Sequence, residues 1–130
     1  MTSKKPTIMV IEDEDLLLRA ITKALDVLDV DVLSCRGAKQ ALDYLDKIDT
    51  LPDAIWLDYY LKDMNGLVFM QQLKNNPQWA GVPVVVVSNS ASHEKVKQMM
   101  DLGAKKYILK AEYQLDEIVD MIRPFMRESV

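Results

Sequence analysis

Short, almost wholly apolar runs alternate along this chain with longer stretches in which apolar residues recur every three or four positions. The first pattern suits strands buried on both faces, the second helices with one buried face. Thr7-Ile8-Met9-Val10-Ile11 predicts a strand over residues 7–11. Leu17, Ile21, Ala24, Leu25 and Leu28 share one face of a helix predicted over residues 15–28. A short strand over 30–34 follows, and Arg36-Gly37 turns the chain into a helix over 38–47. Pro52 punctuates before a strand over 53–58. The helix predicted over 66–75 directs Leu67, Met70 and Leu73 inward and stops before Asn76-Pro77.

Pro83 opens the β-branched run Val84–Val87, too apolar for either face to meet water. Ser92 is the expected N-cap of a helix reaching residue 102, with Lys95 at the N3 position where a capping box has an acid. Gly103 stops it. A fifth strand covers 106–109, and a last helix from about 114 presents Ile118, Val119 and Ile122 until Pro124 ends or kinks it. Five strands alternating with five helices imply an α/β, doubly wound parallel sheet covered on both sides. No linker, repeat or low-complexity stretch interrupts it, so residues 1–130 are expected to form one domain.

The apolar runs end on chemistry. The first stops at Glu12-Asp13, Ala54-Ile55-Trp56-Leu57 at Asp58, the valine run at Ser88, and Tyr107-Ile108-Leu109 at Lys110. The carboxyl ends of parallel strands share one edge, where ligands bind. Three acids, a hydroxyl and an ammonium are therefore expected in one crevice. Carboxylates from neighbouring strands repel unless a cation sits between them. An all-oxygen site with room for water suits Mg²⁺, and Mn²⁺ is chemically acceptable.

Composition narrows the classes. The 130 residues carry 16 basic and 20 acidic side chains for a net charge of −4, which disfavours a nucleic-acid surface. The pairs Lys4-Lys5 and Lys105-Lys106 are too small to reverse that. Cys35 is the single cysteine, which excludes an internal disulfide and fits a reducing compartment. No stretch approaches the roughly 20 apolar residues of a membrane span. The opening residues run straight into the first strand without room for a signal peptide, and the expectation is a cytoplasmic, soluble protein with no membrane partner.

Over essentially its whole length the chain resembles the receiver domains of bacterial two-component response regulators, the chemotaxis-type single-domain receivers among them. Glu12-Asp13 matches that family's acidic pair, Asp58 its phosphoaccepting aspartate, and Gly66 the glycine after the following loop. Ser88 matches the switch hydroxyl, Tyr107 the switch aromatic and Lys110 the active-site lysine. The resemblance implies a flavodoxin-like (βα)5 fold with strand order 2-1-3-4-5. It implies Mg²⁺ held by Asp13, Asp58 and the backbone carbonyl of Tyr60, with Glu12 assisting through water. It also implies a sensor histidine kinase or histidine phosphotransfer protein as phosphodonor and a downstream protein target. Three positions depart from the pattern: Lys62 stands where proline is typical, Ala111 replaces the proline after the lysine, and Asn89 replaces a small residue after Ser88.

The roles make chemical sense. Asp58 is a carboxylate nucleophile, while Lys110 and a metal neutralise charge on the phosphoryl oxygens. Ser88 donates to a phosphoryl oxygen, and Tyr107 turns into the space that its loop vacates. The surface expected to respond is the fourth helix, fifth strand and fifth helix, including Lys106 and Ile108. Tyr60 and Ser90 flank the approach to Asp58. An aspartate-nucleophile phosphatase resembling the haloacid dehalogenases would need a second acid where Tyr60 stands. A nucleotide-binding protein would need a glycine-rich phosphate loop, which the sequence lacks. His93 is expected at the surface, and Trp79 over the end of the third helix.

Overall fold

The computed structural model describes residues 5–126. Its five strands are β1 (Thr7–Ile11), β2 (Asp31–Cys35), β3 (Ala54–Leu57), β4 (Val84–Ser88) and β5 (Lys106–Leu109). All pair in parallel in one sheet of order β2-β1-β3-β4-β5. Helices α1 (Asp15–Val27), α2 (Ala38–Lys47), α3 (Gly66–Asn75) and α4 (His93–Asp101) connect successive strands, and α5 (Leu115–Ile122) follows β5. This is the flavodoxin-like fold that the resemblance implied.

Alternation along the strands divides the core in two. Met9, Ile11, Ile55, Leu57, Val84 and Val86 pack against α2, α3 and α4, where Leu45, Phe69, Leu73 and Met99 are buried. Ile8, Val10, Trp56, Val85 and Val87 pack against Leu18, Ile21 and Leu25 of α1 and Ile118, Val119 and Ile122 of α5. The central strands β1, β3 and β4 are buried on both faces, which accounts for the near absence of polar residues inside them. The chain goes from β1 outward to β2 and then returns past β1 to β3. The reversal opens a crevice between the ends of β1 and β3, where Glu12, Asp13 and Asp58 emerge.

Several boundaries differ from the sequence expectation. Strand β2 begins at Asp31 rather than at Val30, because Val30 still belongs to the end of α1: its amide donates to Leu25 O at 3.0 Å after Asp29 takes a positive φ of 64°. Leu18, not Leu17, is buried on α1, and Leu28 lies beyond the helix and is exposed. In α3 the deepest side chains are Phe69, Met70 and Leu73, while Leu67 is half-buried. Ile108, expected on the responsive surface, is buried against α5, since its side chain points to the sheet face opposite that of Tyr107. The Ser92 cap follows expectation, its Oγ accepting from Lys95 N at 3.2 Å; at the start of α5, Glu117 Oε1 accepts from Gln114 N at 2.9 Å. Pro124 lies in a 3-10 turn, Arg123–Phe125, that ends α5. Trp79 packs half-buried on the α2–α4 side of the core, and His93 is exposed.

Candidate functional site

Backbone pairing carries β1 and β3 one residue past their formal ends and fixes where the acids leave the sheet. Glu12 N donates to Cys35 O at 3.0 Å, and Asp58 N to Ile11 O at 3.1 Å. Glu12, Asp58 and Ser88 are the buried polar residues of the described chain, at 1%, 6% and 0% exposure. Lys110, the first residue of the 3-10 turn after β5, reaches across to them. Its Nζ lies 2.6 Å from Glu12 Oε1 and 3.5 Å from Asp58 Oδ2.

Glu12, Asp13 and Asp58 each present an oxygen within 4.8 Å of the others. Glu12 spends both oxygens, one on Lys110 and the other on the Glu14 amide at 3.1 Å. Asp13 Oδ2 accepts from the Lys62 amide at 2.9 Å. Asp58 Oδ1 accepts from Tyr60 N at 3.3 Å. The Lys110 ammonium thus reaches two of the three carboxylates, Glu12 and Asp58. Burial pushes the Asp58 carboxyl up to about 7, with Lys110 opposing and Glu12 adding to the rise. A pocket of this kind is short of positive charge and composed of hard oxygen donors, and so it fits a divalent cation.

The loop after β3 is held from several sides. Gly66 N donates to Tyr59 O at 2.6 Å, and a Cβ at Gly66 would stand 3.0 Å from Tyr59 Cα. Asp63 carries the loop to α2, where its oxygens accept from Ala38 N at 3.1 Å and Lys39 N at 2.9 Å. Burial alone would raise Asp63, but these and its own loop's amides outweigh it and hold the carboxyl below the usual range.

Ser88, at the end of β4, is fully buried, and Ser90 N approaches its Oγ at 3.5 Å. The Tyr107 hydroxyl donates to Ser90 O at 2.7 Å, so its ring already lies against the Ser88–Ser90 loop. The described peptide bonds are all trans, Lys110–Ala111 included. Cys35 is buried, and burial pushes its thiol up to about 12, which leaves it inert.

Every residue expected at the strand ends therefore meets at one edge. The sequence did not disclose Glu12 as the closest partner of Lys110, the Asp63 tie to α2, or the reach of the Lys95 ammonium to the Tyr60 hydroxyl. The last had one signal: a lysine at N3 of a helix, where an acid is favoured, has a reason to reach elsewhere.

Comparison with known proteins agrees with this geometry. The family model described as response regulator receiver domain matches residues 8–123. Two-component response regulator ORR8 of Oryza sativa subsp. indica is 33% identical over 105 residues, covering 81% of this chain and 86% of that protein. The phosphorylated cyanobacterial phytochrome response regulator RcpA superposes with a TM-score of 0.80 at 26% identity, over 93% of this chain and 91% of its own. The Mn²⁺-bound form of response regulator Rcp1 gives 0.80 at 24% identity, over 92% and 93%. The chain belongs to the response regulator receiver domain family, the phosphoacceptor signalling module of two-component systems.

Proposed function

We propose that Asp58 is the phosphoacceptor and that residues 1–130 work as a single receiver domain. One observation carries this reading. Asp58 is the buried carboxylate that shares Lys110 with Glu12 at the crevice between β1 and β3. An oxygen of Asp58 attacks phosphorus in a phosphohistidine of a sensor histidine kinase or histidine phosphotransfer protein. The P–N bond breaks as the P–O bond forms, and the imidazole leaves with its electron pair. A small acyl phosphate can serve in the same way, its carboxylate leaving. Lys110 offsets charge on the transferring oxygens, and Ser88 donates its hydroxyl to one of them.

Asp13, Asp58 and the Tyr60 backbone carbonyl would hold Mg²⁺, with Mn²⁺ as a substitute, and the cation supplies charge neutralisation. Glu12 is suited to act through water, since both its oxygens are already engaged. Asp58 later loses its phosphoryl group when water attacks phosphorus, so the protein takes part in its own dephosphorylation without turning over a metabolite. Phosphorylation draws in the Ser88 loop and resets Tyr107, which alters the face of α4, β5 and α5 for a downstream protein target. Nucleic acid and membrane have no direct part. Among the described residues no helix is long and apolar enough to cross a membrane, and we place the protein in the cytoplasm.

The test is intact-mass measurement after incubation with acetyl phosphate. A gain of one phosphoryl group should need Mg²⁺ and be absent in Asp58→Asn. An equal gain in that variant would overturn the assignment.

A further inference from the structure

We propose that Lys95 is a positioning residue that latches the first turn of α4 onto the loop after β3 and so closes the gap above Asp58. The proposal rests on the phosphoacceptor reading for its consequence, though not for the latch itself.

Tyr60 and Ser90 stand two residues beyond Asp58 and Ser88, on the two loops that flank the crevice. Ser90 Oγ donates to the Tyr60 hydroxyl at 3.0 Å, bridging these loops directly. The Lys95 ammonium donates to the same hydroxyl. It also lies 4.6 Å from the Tyr60 ring centroid and 5.5 Å from that of Tyr59. The two rings meet edge to face with centroids 5.0 Å apart. The Tyr107 hydroxyl completes the chain of contacts by donating to Ser90 O at 2.7 Å. Four elements are joined in this way: α4, the loop after β3, the loop after β4, and β5.

Lys95 is poorly placed for helix stability, since a cation at N3 opposes the helix dipole. What it gains is a hydroxyl acceptor and two aromatic faces. Tyr60 is 44% exposed, yet Asp58 beneath the bridge is only 6% exposed. Without the ammonium, the Tyr60 hydroxyl would keep only Ser90 Oγ as a partner among the described residues, and the ring only its edge contact with Tyr59, so Tyr60 could swing to solvent. The size of the tyrosine does not by itself close the gap; its anchoring does. An exposed cation–π contact is a weak bond, and a weak bond suits a latch that must open.

The experiment compares Lys95→Met, Lys95→Arg, Tyr60→Phe and the Lys95→Met/Tyr60→Phe double variant. Amide exchange over residues 89–96 is read on the unmodified protein, and phosphoryl decay by intact mass on the acetyl-phosphate-treated protein with Mg²⁺. Lys95→Met should speed exchange and shorten the phosphoryl lifetime about 2- to 5-fold, the worth of an exposed cation–π contact. Tyr60→Phe keeps the ring face and loses the hydroxyl, so Lys95→Met should have a smaller effect in that background than on its own, and Lys95→Arg should restore most of both readouts. Unchanged exchange and lifetime in Lys95→Met would overturn the latch, as would single effects that multiply in the double variant. Faster exchange with an unchanged lifetime would overturn the closing role. If no variant gains a phosphoryl group, the phosphoacceptor reading fails, and the exchange data still decide whether Lys95 holds α4.

Discussion

Lys110 lies closer to Glu12 than to Asp58, 2.6 Å against 3.5 Å, although the two acids converge on the same ammonium. The arrangement makes the two halves of the pair unequal. Removing Lys110 leaves two buried acids without their cation, whereas removing the charge of Glu12 frees Lys110 for Asp58 and relieves a like-charge contact. In metal-free protein Lys110→Met should cost roughly 3 kcal/mol, the scale of a broken buried pair. Glu12→Gln should cost about 1 kcal/mol, an ordinary hydrogen-bond loss. Urea unfolding in a chelator gives both, and Mg²⁺ should recover part of the Lys110→Met loss. A larger cost for Glu12→Gln would mean that Glu12, not Lys110, organises the site.

The raised Asp58 carboxyl has a consequence for stability with a definite sign. Folded, metal-free protein keeps its proton up to about 7, while an unstructured aspartate loses it near 3.8. Between those values the native state binds the extra proton. This group's contribution to stability therefore falls as pH rises from about 4 to about 7. Chemical unfolding across that window in a chelator should show the decline, and Asp58→Asn should lack it. A decline of equal size in the variant would assign it to other groups.

The strand ends were legible because parallel strands buried on both faces read as continuous apolar runs, and the first polar residue after each run marks the functional edge. Glu12, Asp13, Asp58, Ser88 and Lys110 were found in that way. The contacts among side chains were less legible, because they join distant positions. Lys110 meets Glu12 across 98 positions, Lys95 meets Tyr60 across 35, and Asp63 meets Ala38 across 25. Periodicity says nothing of such pairs. The one-residue shift of β2 was missed because strand and helix ends are set by local hydrogen bonds such as Val30 N to Leu25 O, whereas the burial of Ile108 follows from the side-chain alternation that sets it on the face opposite Tyr107.

Asp63 ties the loop after β3 to the start of α2 through a clearance that only glycine allows. A Cβ at Gly37 would stand 2.7 Å from Asp63 Oδ2. Asp63→Ala should cost about 1 kcal/mol, the usual worth of a capping carboxylate. Gly37→Ala should destabilise otherwise intact protein by a similar amount and become nearly neutral in the Asp63→Ala background. Equal costs of Gly37→Ala in both backgrounds, measured by urea unfolding, would show that the two positions act independently.

Trp56 reports on the site from below. It is buried, and it shares a cavity of about 280 Å³ with Lys110, Asn89 and Leu17. Cation binding among the carboxylates changes the demand on Lys110, so Trp56 emission should shift during a Mg²⁺ titration of a Trp79→Phe background. Asp13→Ala should move the midpoint to higher Mg²⁺, because it removes a direct ligand from a sparse site. An identical midpoint with and without Asp13 would contradict the ligand set.

The identity of the phosphorylated residue is open to one direct measurement. Protein treated with acetyl phosphate and Mg²⁺ is reduced with borohydride, which converts an aspartyl phosphate to homoserine, and the modified peptide is then sequenced by mass spectrometry. Phosphorylation at Asp58 predicts homoserine at position 58 and unreduced side chains at positions 12 and 13. Reduction at Asp13 or Glu12 with an unmodified Asp58 would contradict it.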